Sequence, residues 1–357
     1  MRTQPKVIFN MFDRSTLAKN LLGIGDPNVH KIDGQWWMYF GGMQRNFTNN
    51  LFSASLPKGE LLSPDMQWQI TMDPNNPNKA QPLIQQPDKG EWDHFGLHEP
   101  CFVAGEKRDN ADKWVPCRRI YYSGRTGRNV FGKNTTYSIS LLELTESGWQ
   151  RHEAPVITSD RLSNSALAPK VIYDCDKKKW HVWYLADVTE PVKSKDESEI
   201  FHSESDDGII WEAPKSFFGR DDKIAHTYVL RRSDGAYEML LSTIANFSGE
   251  SSYPEQKLWV SIAQIPSGNR ADWSEPQEIL AAAGGKVWYA NGFFGSSICE
   301  ADAKNEEGEQ YVFFTGVRGS MNWLTFAIKK LLALEKPPPP APFYFAIGFF
   351  RMGKQRD

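Results

Sequence analysis

The sequence lacks the features that mark several protein classes. It has four cysteines among 357 residues, and none of them stands in a CxxC pair or another metal-binding spacing. The longest apolar run, ten residues from 341 to 350, is far shorter than the ~20 residues of a membrane span. Lys and Arg total 41 against 44 Asp and Glu, a net charge of −3, so no basic footprint for nucleic acid or a membrane surface exists.

The N-terminal residues carry no apolar core after Arg2 and Lys6, so they do not read as an export signal. We therefore expect a cytoplasmic protein with four reduced thiols, because disulfides are rare in that compartment. Cys101 and Cys117 fall on opposite strands of one predicted hairpin and are expected to be near neighbours without bonding. The other two cysteines are Cys175 and Cys299.

Aromatic residues and turn formers are abundant instead. The chain has 13 Trp, 12 Tyr and 21 Phe, and its 27 Gly and 22 Pro are spread along the sequence. Many aromatics between evenly scattered turn formers are typical of many short strands. The composition therefore favours an all-β protein.

A repeat runs through the chain. Five segments share a polar or small cluster, an apolar strand, a charged turn and a strand rich in aromatics; they start near residues 26, 99, 168, 226 and 296. A second hairpin falls between the starts, marked by a Trp shortly before a Pro, as in Trp211 and Pro214. Four strands per unit and five units predict an all-β, five-bladed β-propeller. A β-sandwich with accidental spacing is the alternative.

The repeat predicts one propeller domain over residues 1–335, followed by a Pro-rich tail over 336–357 that contains an aromatic segment. Residues 7–12 are apolar and are expected to form an outer strand that closes the last blade. Pro337 to Pro340 form a polyproline spacer. Because an aromatic segment in water would aggregate, we expect the tail to dock on the propeller or, in a homo-oligomer, on another protomer.

Motifs in the first two blades resemble a known group. Gly25-Asp26-Pro27-Asn28-Val29, followed by Asp33-Gly34-Gln35-Trp36-Trp37, resembles the first blade of the five-bladed propeller glycoside hydrolases. These include the arabinanase/β-xylosidase-like and invertase/levansucrase-like families. The stretch from Gly90 to Pro100 is similar to their second blade, and 205–211 and 314–317 to later blades. The resemblance covers residues 20–335 and implies a carbohydrate-active enzyme that cleaves or transfers a glycosidic bond.

In that group, three carboxylates on separate blades act as base or nucleophile, as general acid and as an orienting group. The resemblance implies that Asp26 is the base or nucleophile. It also implies that Glu99, in His98-Glu99-Pro100, is the second carboxylate, either the acid or the group that tunes it. The third-blade and fourth-blade positions, Ala168 and His226, are not acidic. This departure from the family pattern leaves a catalytically inactive sugar-binding or assembly propeller as an alternative.

The repeat also predicts which residues share one mouth. The start of each first strand and the end of each second strand open on the same side, because the two strands are antiparallel. Either Asp187 or Glu190, both in the third-blade loop, is expected to replace the missing acid. Further expected substrate contacts at this mouth are Arg45, Arg125, Arg128, His226, Arg318, Trp323 and Trp36.

These contacts have specific expected roles. Guanidinium groups match a phosphate or carboxylate in bidentate fashion, so the four arginines suggest an anionic group or ion pairs with the mouth carboxylates. Trp323 and Trp36 would offer a flat face to a sugar ring, although Trp36 and His226 fit a packed core equally well. A glycoside phosphorylase that uses inorganic phosphate is therefore a second enzymatic alternative. No metal or cofactor is expected, apart from the central calcium ion that some relatives hold.

Overall fold

The computed structural model describes residues 2–11, 18–129, 135–158, 165–187, 198–247, 249–250, 253–301, 309–319, 322–334 and 344–353. Of these residues, 55% lie in strands and 6% in helices. The strands form five antiparallel blades, and the innermost strands contact one another in chain order, with the fifth contacting the first. The predicted five-bladed propeller is therefore confirmed.

The N-terminal strand β1 is Lys6–Asn10. Blade one contains β2 (Leu21–Ile32), β3 (Gln35–Gln44), β4 (Asn49–Ser55) and β5 (Gln69–Ile70). A small hairpin of β6 (Met72–Asp73) and β7 (Asn76–Ala80) follows. Blade two contains β8 (Gly96–Arg108), β9 (Trp114–Arg125), β10 (Tyr137–Thr145) and β11 (Gly148–Arg151).

Blade three contains β12 (Ser165–Asp174), β13 (Lys179–Asp187), β14 (Ser198–Ser205) and β15 (Lys215–Phe218). Blade four contains β16 (Ile224–Arg231), β17 (Tyr237–Thr243), β18 (Lys257–Ala263) and β19 (Gln277–Ala281). Three-residue 3₁₀ turns occur at Arg220–Asp222, Arg270–Asp272 and Val287–Tyr289.

Both ends of the chain build blade five. It contains β20 (Phe293–Glu300), β21 (Glu309–Val317) and β22 (Phe345–Gly353), and β1 pairs with β22 as the outermost strand. The expected closing strand near residue 7 is thus confirmed. The aromatic segment expected in a separate tail is instead the third strand of this blade. The propeller therefore extends beyond residue 335. The strand β22 lies between β1 and β21, and most of its apolar side chains are buried.

An insertion between β21 and β22 hides this strand from the repeat. The helix α1 (Trp323–Leu332) lies there, and the Asn322 side chain caps it by accepting a hydrogen bond from the Thr325 backbone at 3.1 Å. Its ten residues break the spacing between the second and third strands of the blade. None of the described helices has the length and hydropathy needed to cross a membrane.

Aromatic pairs hold neighbouring blades together. Tyr39 of blade one stacks on Phe102 of blade two with ring centroids 5.5 Å apart. Trp183 of blade three meets Trp273 of blade four edge-on at 6.1 Å. Each blade is covered on both faces, so its strands need large apolar side chains in both directions. This explains the high aromatic content of the sequence.

The cysteines are all unbonded, with Cys175 exposed and the other three buried. The expectation that Cys101 and Cys117 are near neighbours is wrong. Cys101 lies opposite Tyr121 and Cys117 lies opposite Gly105 in the β8–β9 ladder, so the two residues are several ladder positions apart. The predicted hairpin is correct, but a bulge and a long strand pair set its register.

Candidate active site

The candidate carboxylates stand at matching bulges inside the innermost strands. Asp26, Glu99 and Ala168 have φ values of 59°, 54° and 53°, and each comes directly before a proline. The strand ladder shifts at each of these positions. A bulge leaves one residue unpaired, so a proline without an N–H is tolerated there. These positions were expected at strand starts, but each strand begins three to five residues earlier.

A cavity of about 160 Å³ opens at this end of the ring. The polar groups of its lining come from Asp26, Asn49, His98, Glu99, Arg125, Tyr137 and His226. Most of the remaining lining is apolar and includes Met11, Leu22, Ile24, Met43, Leu167, Leu185, Ile244, Phe247, Phe294 and Phe345. An apolar cavity of about 150 Å³ accommodates benzene, so this volume suits one six-membered ring.

Glu99 is held as an ionised carboxylate. Its Oε2 accepts hydrogen bonds from the Ser123 hydroxyl at 2.5 Å and from the Ala168 backbone N–H at 2.9 Å. The Nδ1 of His98 lies 3.5 Å from the same oxygen. Burial alone would raise the pKa of Glu99, but His98, His226 and the Ser123 hydrogen bond more than offset it and lower the pKa.

Asp26 has the opposite environment. Burial, and then the negative charge of Glu99, raise the pKa of Asp26 well above its ordinary value. Its Oδ1 has no hydrogen-bond partner among the described residues. A Cβ atom on Gly295 would overlap that oxygen, so blade five must present glycine here. Asp26 therefore retains its proton near neutral pH, while Glu99 does not.

A buried lysine and two neutral imidazoles surround the two carboxyl groups. Lys170 is only 3% exposed and lies close enough to influence the pKa values of Asp26, Glu99 and His226. Burial lowers the pKa of His226 and of His98 to about 4. The Nδ1 of His226 is buried without a hydrogen-bond partner in the described part of the chain. Both rings are thus neutral and can each donate and accept one hydrogen bond.

The four predicted arginines do not gather around the cavity. Only Arg125 lines it, and this guanidinium donates to the Asn49 side chain at 2.7 Å and to the Phe95 and Arg128 carbonyls. Arg45 and Arg128 are exposed. Arg318 is half-buried and lies over the Phe326 ring at 5.8 Å. Arg125 therefore forms a hydrogen-bonded wall of the cavity, whereas the other three point elsewhere.

The remaining predicted residues are distributed differently. Trp36 is 3% exposed in the core of blade one, so it does not reach the cavity. Trp323 opens α1, is half-buried, and is not part of the cavity lining. Asp187 is the last residue of β13, paired with Ser165. Glu190 lies outside the described residues.

Structural comparison identifies what this architecture resembles. No protein-family model and no curated protein matches the sequence. Among solved structures, a glycoside hydrolase shares 13% identity over 98% of this chain and 94% of its own, with a TM-score of 0.61. The fold is that of the five-bladed propeller glycoside hydrolases.

Two further neighbours share this propeller glycoside hydrolase fold. An α-L-arabinofuranosidase from Podospora anserina, solved with cellotriose, is 13% identical over 98% of this chain and 96% of its own, with a TM-score of 0.56. A thermostable family-43 glycoside hydrolase is 15% identical over 92% of this chain and 88% of its own, with a TM-score of 0.54. The resemblance seen in the motifs is therefore confirmed at the level of the fold.

The central calcium ion of some such propellers does not fit the residues present here. Calcium takes about six to eight oxygen ligands. The centre of this ring instead places the Lys170 ammonium group near the two carboxyl groups, where its positive charge would repel a cation. Neutral imidazoles supply nitrogen rather than oxygen. We therefore assign calcium no role in the site.

Sequence reasoning missed several residues that line the cavity or contact its carboxyl groups. His98 stands inside the quoted His98-Glu99-Pro100 motif, and Lys170 follows Ala168-Pro169 two positions after the third bulge. Their signal was a polar or charged residue in an otherwise apolar innermost strand. Ser123 and Tyr137 had no such signal, because serine and tyrosine are ordinary residues in β-strands.

Proposed function

We propose that this protein is a glycoside hydrolase that releases a single terminal sugar unit. The observation that carries the proposal is the pair of buried carboxyl groups, Asp26 and Glu99, whose surroundings move their pKa values in opposite directions. Glycosyl transfer requires one protonated acid and one ionised carboxylate on either side of the scissile bond. A cavity sized for one ring supports removal of a terminal unit rather than cleavage within a chain.

The resemblance implied that Asp26 is the base, but its environment favours the acid role in the free site. In this mechanism, the bond between the anomeric carbon and the leaving oxygen breaks, and that oxygen keeps the electron pair. The same oxygen takes the proton of Asp26. A water oxygen bonds to the anomeric carbon and passes a proton to Glu99. Proton exchange with solvent then restores both groups.

His98, Ser123 and Lys170 support this division of roles. The Ser123 hydroxyl and the His98 ring hold the Glu99 carboxylate in place. Lys170 supplies positive charge beside both carboxyl groups, which limits the cost of burying the ionised one. In this scheme Lys170, which follows the third bulge, takes the place of a third carboxylate as the group that tunes the other two.

The apolar lining indicates the class of substrate. A fully hydroxylated sugar would leave hydroxyl groups unpaired against Leu22, Ile24 and Phe294, at a cost in binding. A deoxy, methylated or acetylated sugar, or an aryl leaving group, would bury apolar surface there instead. We therefore propose a glycoside with an apolar face as substrate. Since three of the four arginines lie away from the cavity, hydrolysis is favoured over phosphorolysis.

The test uses aryl glycosides whose leaving groups differ in acidity. Asp26→Asn should lower turnover about 10²–10⁴-fold for alkyl or simple phenyl glycosides, and much less for dinitrophenyl glycosides, which need no acid. Glu99→Gln should lower turnover for both kinds of leaving group. Added azide should restore only the Glu99→Gln enzyme. Asp33→Asn changes an exposed aspartate of the same blade and serves as the matched control.

Three results would contradict the proposal. Turnover that requires inorganic phosphate would establish a phosphorylase. Saturable sugar binding without turnover of any aryl glycoside would establish a binding protein. Retention of full activity in both carboxyl variants would place the chemistry elsewhere.

A further inference from the structure

Two histidines and a glutamate meet on blade three, outside the cavity. His181 lies on β13, and His202 and Glu204 lie on β14. The ladder places Glu204 directly opposite His181 and places His202 opposite Trp183, so all three side chains share one face of the sheet. We refer to His181, His202 and Glu204 as the histidine cluster. None of its members lines the cavity.

The donor atoms of the histidine cluster converge. The Nδ1 of His181 lies 3.2 Å from the Nε2 of His202 and 3.7 Å from the Oε1 of Glu204. All three ligand atoms lie within 4.8 Å of one another. Tetrahedral zinc has bonds of about 2.0–2.1 Å to nitrogen and oxygen, which puts its ligands about 3.3 Å apart. The two shorter separations are close to that geometry.

The surrounding side chains fix the two rings. Trp183 stacks on His181 at 6.1 Å and packs against His202 at 4.8 Å. The backbone of Gly268, from blade four, lies against the His202 ring so closely that a Cβ atom there would overlap it. Rings held by packing lose little freedom on binding an ion, so the cluster is preorganised.

Charged side chains also surround the histidine cluster. The groups facing His181 are Asp174, Lys177, Lys179 and Glu212, and Lys215 faces His202. Lys179 is paired with Asp206 at 2.7 Å and with Glu212 at 3.4 Å. Glu204 brings a carboxylate oxygen to within 3.7 Å of the His181 ring.

We propose that His181, His202 and Glu204 form a binding site for a divalent transition metal ion, with zinc as the expected occupant. Two imidazoles and one carboxylate are a ligand set that zinc uses in proteins, with water in the fourth position. The Glu204 side chain is 38% exposed, which gives the ion a path from solvent. The ion would tie β13 to β14 where blade three meets Gly268 of blade four. The site is separate from the carboxyl pair, because none of its members lines the cavity.

The test uses tag-free, chelator-treated full-length protein with Cys175→Ser, because the exposed Cys175 thiol could bind zinc by itself. Calorimetric titration should show one zinc ion per chain, and zinc should raise the melting temperature. Cobalt(II) should give the visible absorption bands of a tetrahedral site. Glu204→Gln keeps the shape of a half-exposed side chain and should weaken zinc binding at least about tenfold. Loss of a residue that only contacts a metal ligand already weakens metal binding by about that factor.

His152→Gln changes a histidine outside the cluster and is the matched control. It should bind zinc like the parent protein, and His202→Gln should not bind it. The proposal would be overturned if folded protein gave no heat of zinc binding and no cobalt absorption bands. Equal zinc affinities of Glu204→Gln and His152→Gln would do the same. Glycosidase turnover should be unchanged by removing the metal, so this test is separate from that of the proposed function.

Discussion

The Glu99 carboxylate accepts a hydrogen bond at 2.9 Å from the backbone N–H of Ala168, the residue at the equivalent bulge of the next blade. Asp26 occupies the same bulge position one blade earlier, and the Glu99 backbone N–H acts to lower the pKa of its carboxyl group. A bulge removes an N–H from the strand ladder. That N–H is then free to bind the carboxyl group of the preceding blade. The left-handed backbone at these positions thus serves the site.

The backbone at Ala168 should be strained for a residue with a side chain. A left-handed conformation costs an L-residue about 1–2 kcal/mol, and glycine avoids this cost. Ala168→Gly should therefore destabilise the protein by about 1–2 kcal/mol less than Ala166→Gly, a buried alanine of the same strand with ordinary φ. Urea unfolding of the two variants measures the difference. Equal losses would show that the bulge carries no strain.

The proton on Asp26 should make stability depend on pH. Because its pKa is raised in the folded state, the stabilisation is fully present below the unfolded value of 3.8 and is lost as pH rises through the folded pKa. Asp26→Asn has no group that titrates there. Its free energy of unfolding should therefore rise relative to that of the wild type between pH 5 and pH 8. Asp33→Asn breaks an exposed ion pair with Arg118 and should show no such gain. If the difference in free energy of unfolding between Asp26→Asn and the wild type stayed constant over this range, Asp26 would not carry the proton assigned to it.

Buried histidines should make the protein sensitive to acid. Burial lowers five histidine pKa values, to about 4 for His98, His181 and His226 and to about 3 for His30 and His202. Depressed values give stability that is present above the unfolded pKa of 6.5 and lost as pH falls through the folded pKa. Each such group contributes up to about 1.4 kcal/mol per pH unit in that window.

The measurement is urea unfolding of metal-free protein between pH 4 and pH 7. His202→Gln should reduce the slope of stability against pH by about one proton. His152→Gln, on the surface side of blade two, serves as the control. The interpretation fails if both variants keep the wild-type slope.

Closure by the N-terminal strand should contribute strongly to stability. Phe9 is 3% exposed and packs against Phe40 with ring centroids 6.1 Å apart. Phe9→Ala should cost about 3–5 kcal/mol, the usual loss for a buried aromatic ring. Val7→Ala, at a position 39% exposed on the same strand, should change stability by about 0.5 kcal/mol or less. Similar losses for both would mean that β1 is only loosely attached.

The propeller could be predicted from the sequence because all five blades have the same burial requirement. Every blade must cover both of its faces, so the same pattern of aromatic and apolar residues recurs in each one. The bulges were not predictable, since Asp26-Pro27 and Glu99-Pro100 read as the start of a strand. A proline normally begins or edges a strand, and only the ladder shows that each strand starts earlier.

Side-chain direction limited the prediction of the site. Arg125 and Arg128 are three residues apart at one mouth, yet one is buried in the cavity wall and the other is exposed. The backbone of the turn after β9 determines which of these two side chains is buried, and the conformation of a turn is weakly encoded in the sequence. For Trp36 the alternation was readable: it shares a face with Met38 and Phe40, and all three are core residues.

The pairing of β1 with β22 has a consequence for how the molecule is made. The Thr3 hydroxyl accepts a hydrogen bond from the Arg351 backbone across 348 residues of chain. During synthesis, β1 emerges long before β22, so it has no partner strand until β22 has been made. Contacts between such distant segments slow folding and leave apolar edges open to other chains in the meantime. In a nascent chain of this protein, the apolar edge of blade five therefore stays open until β1 and β22 have paired.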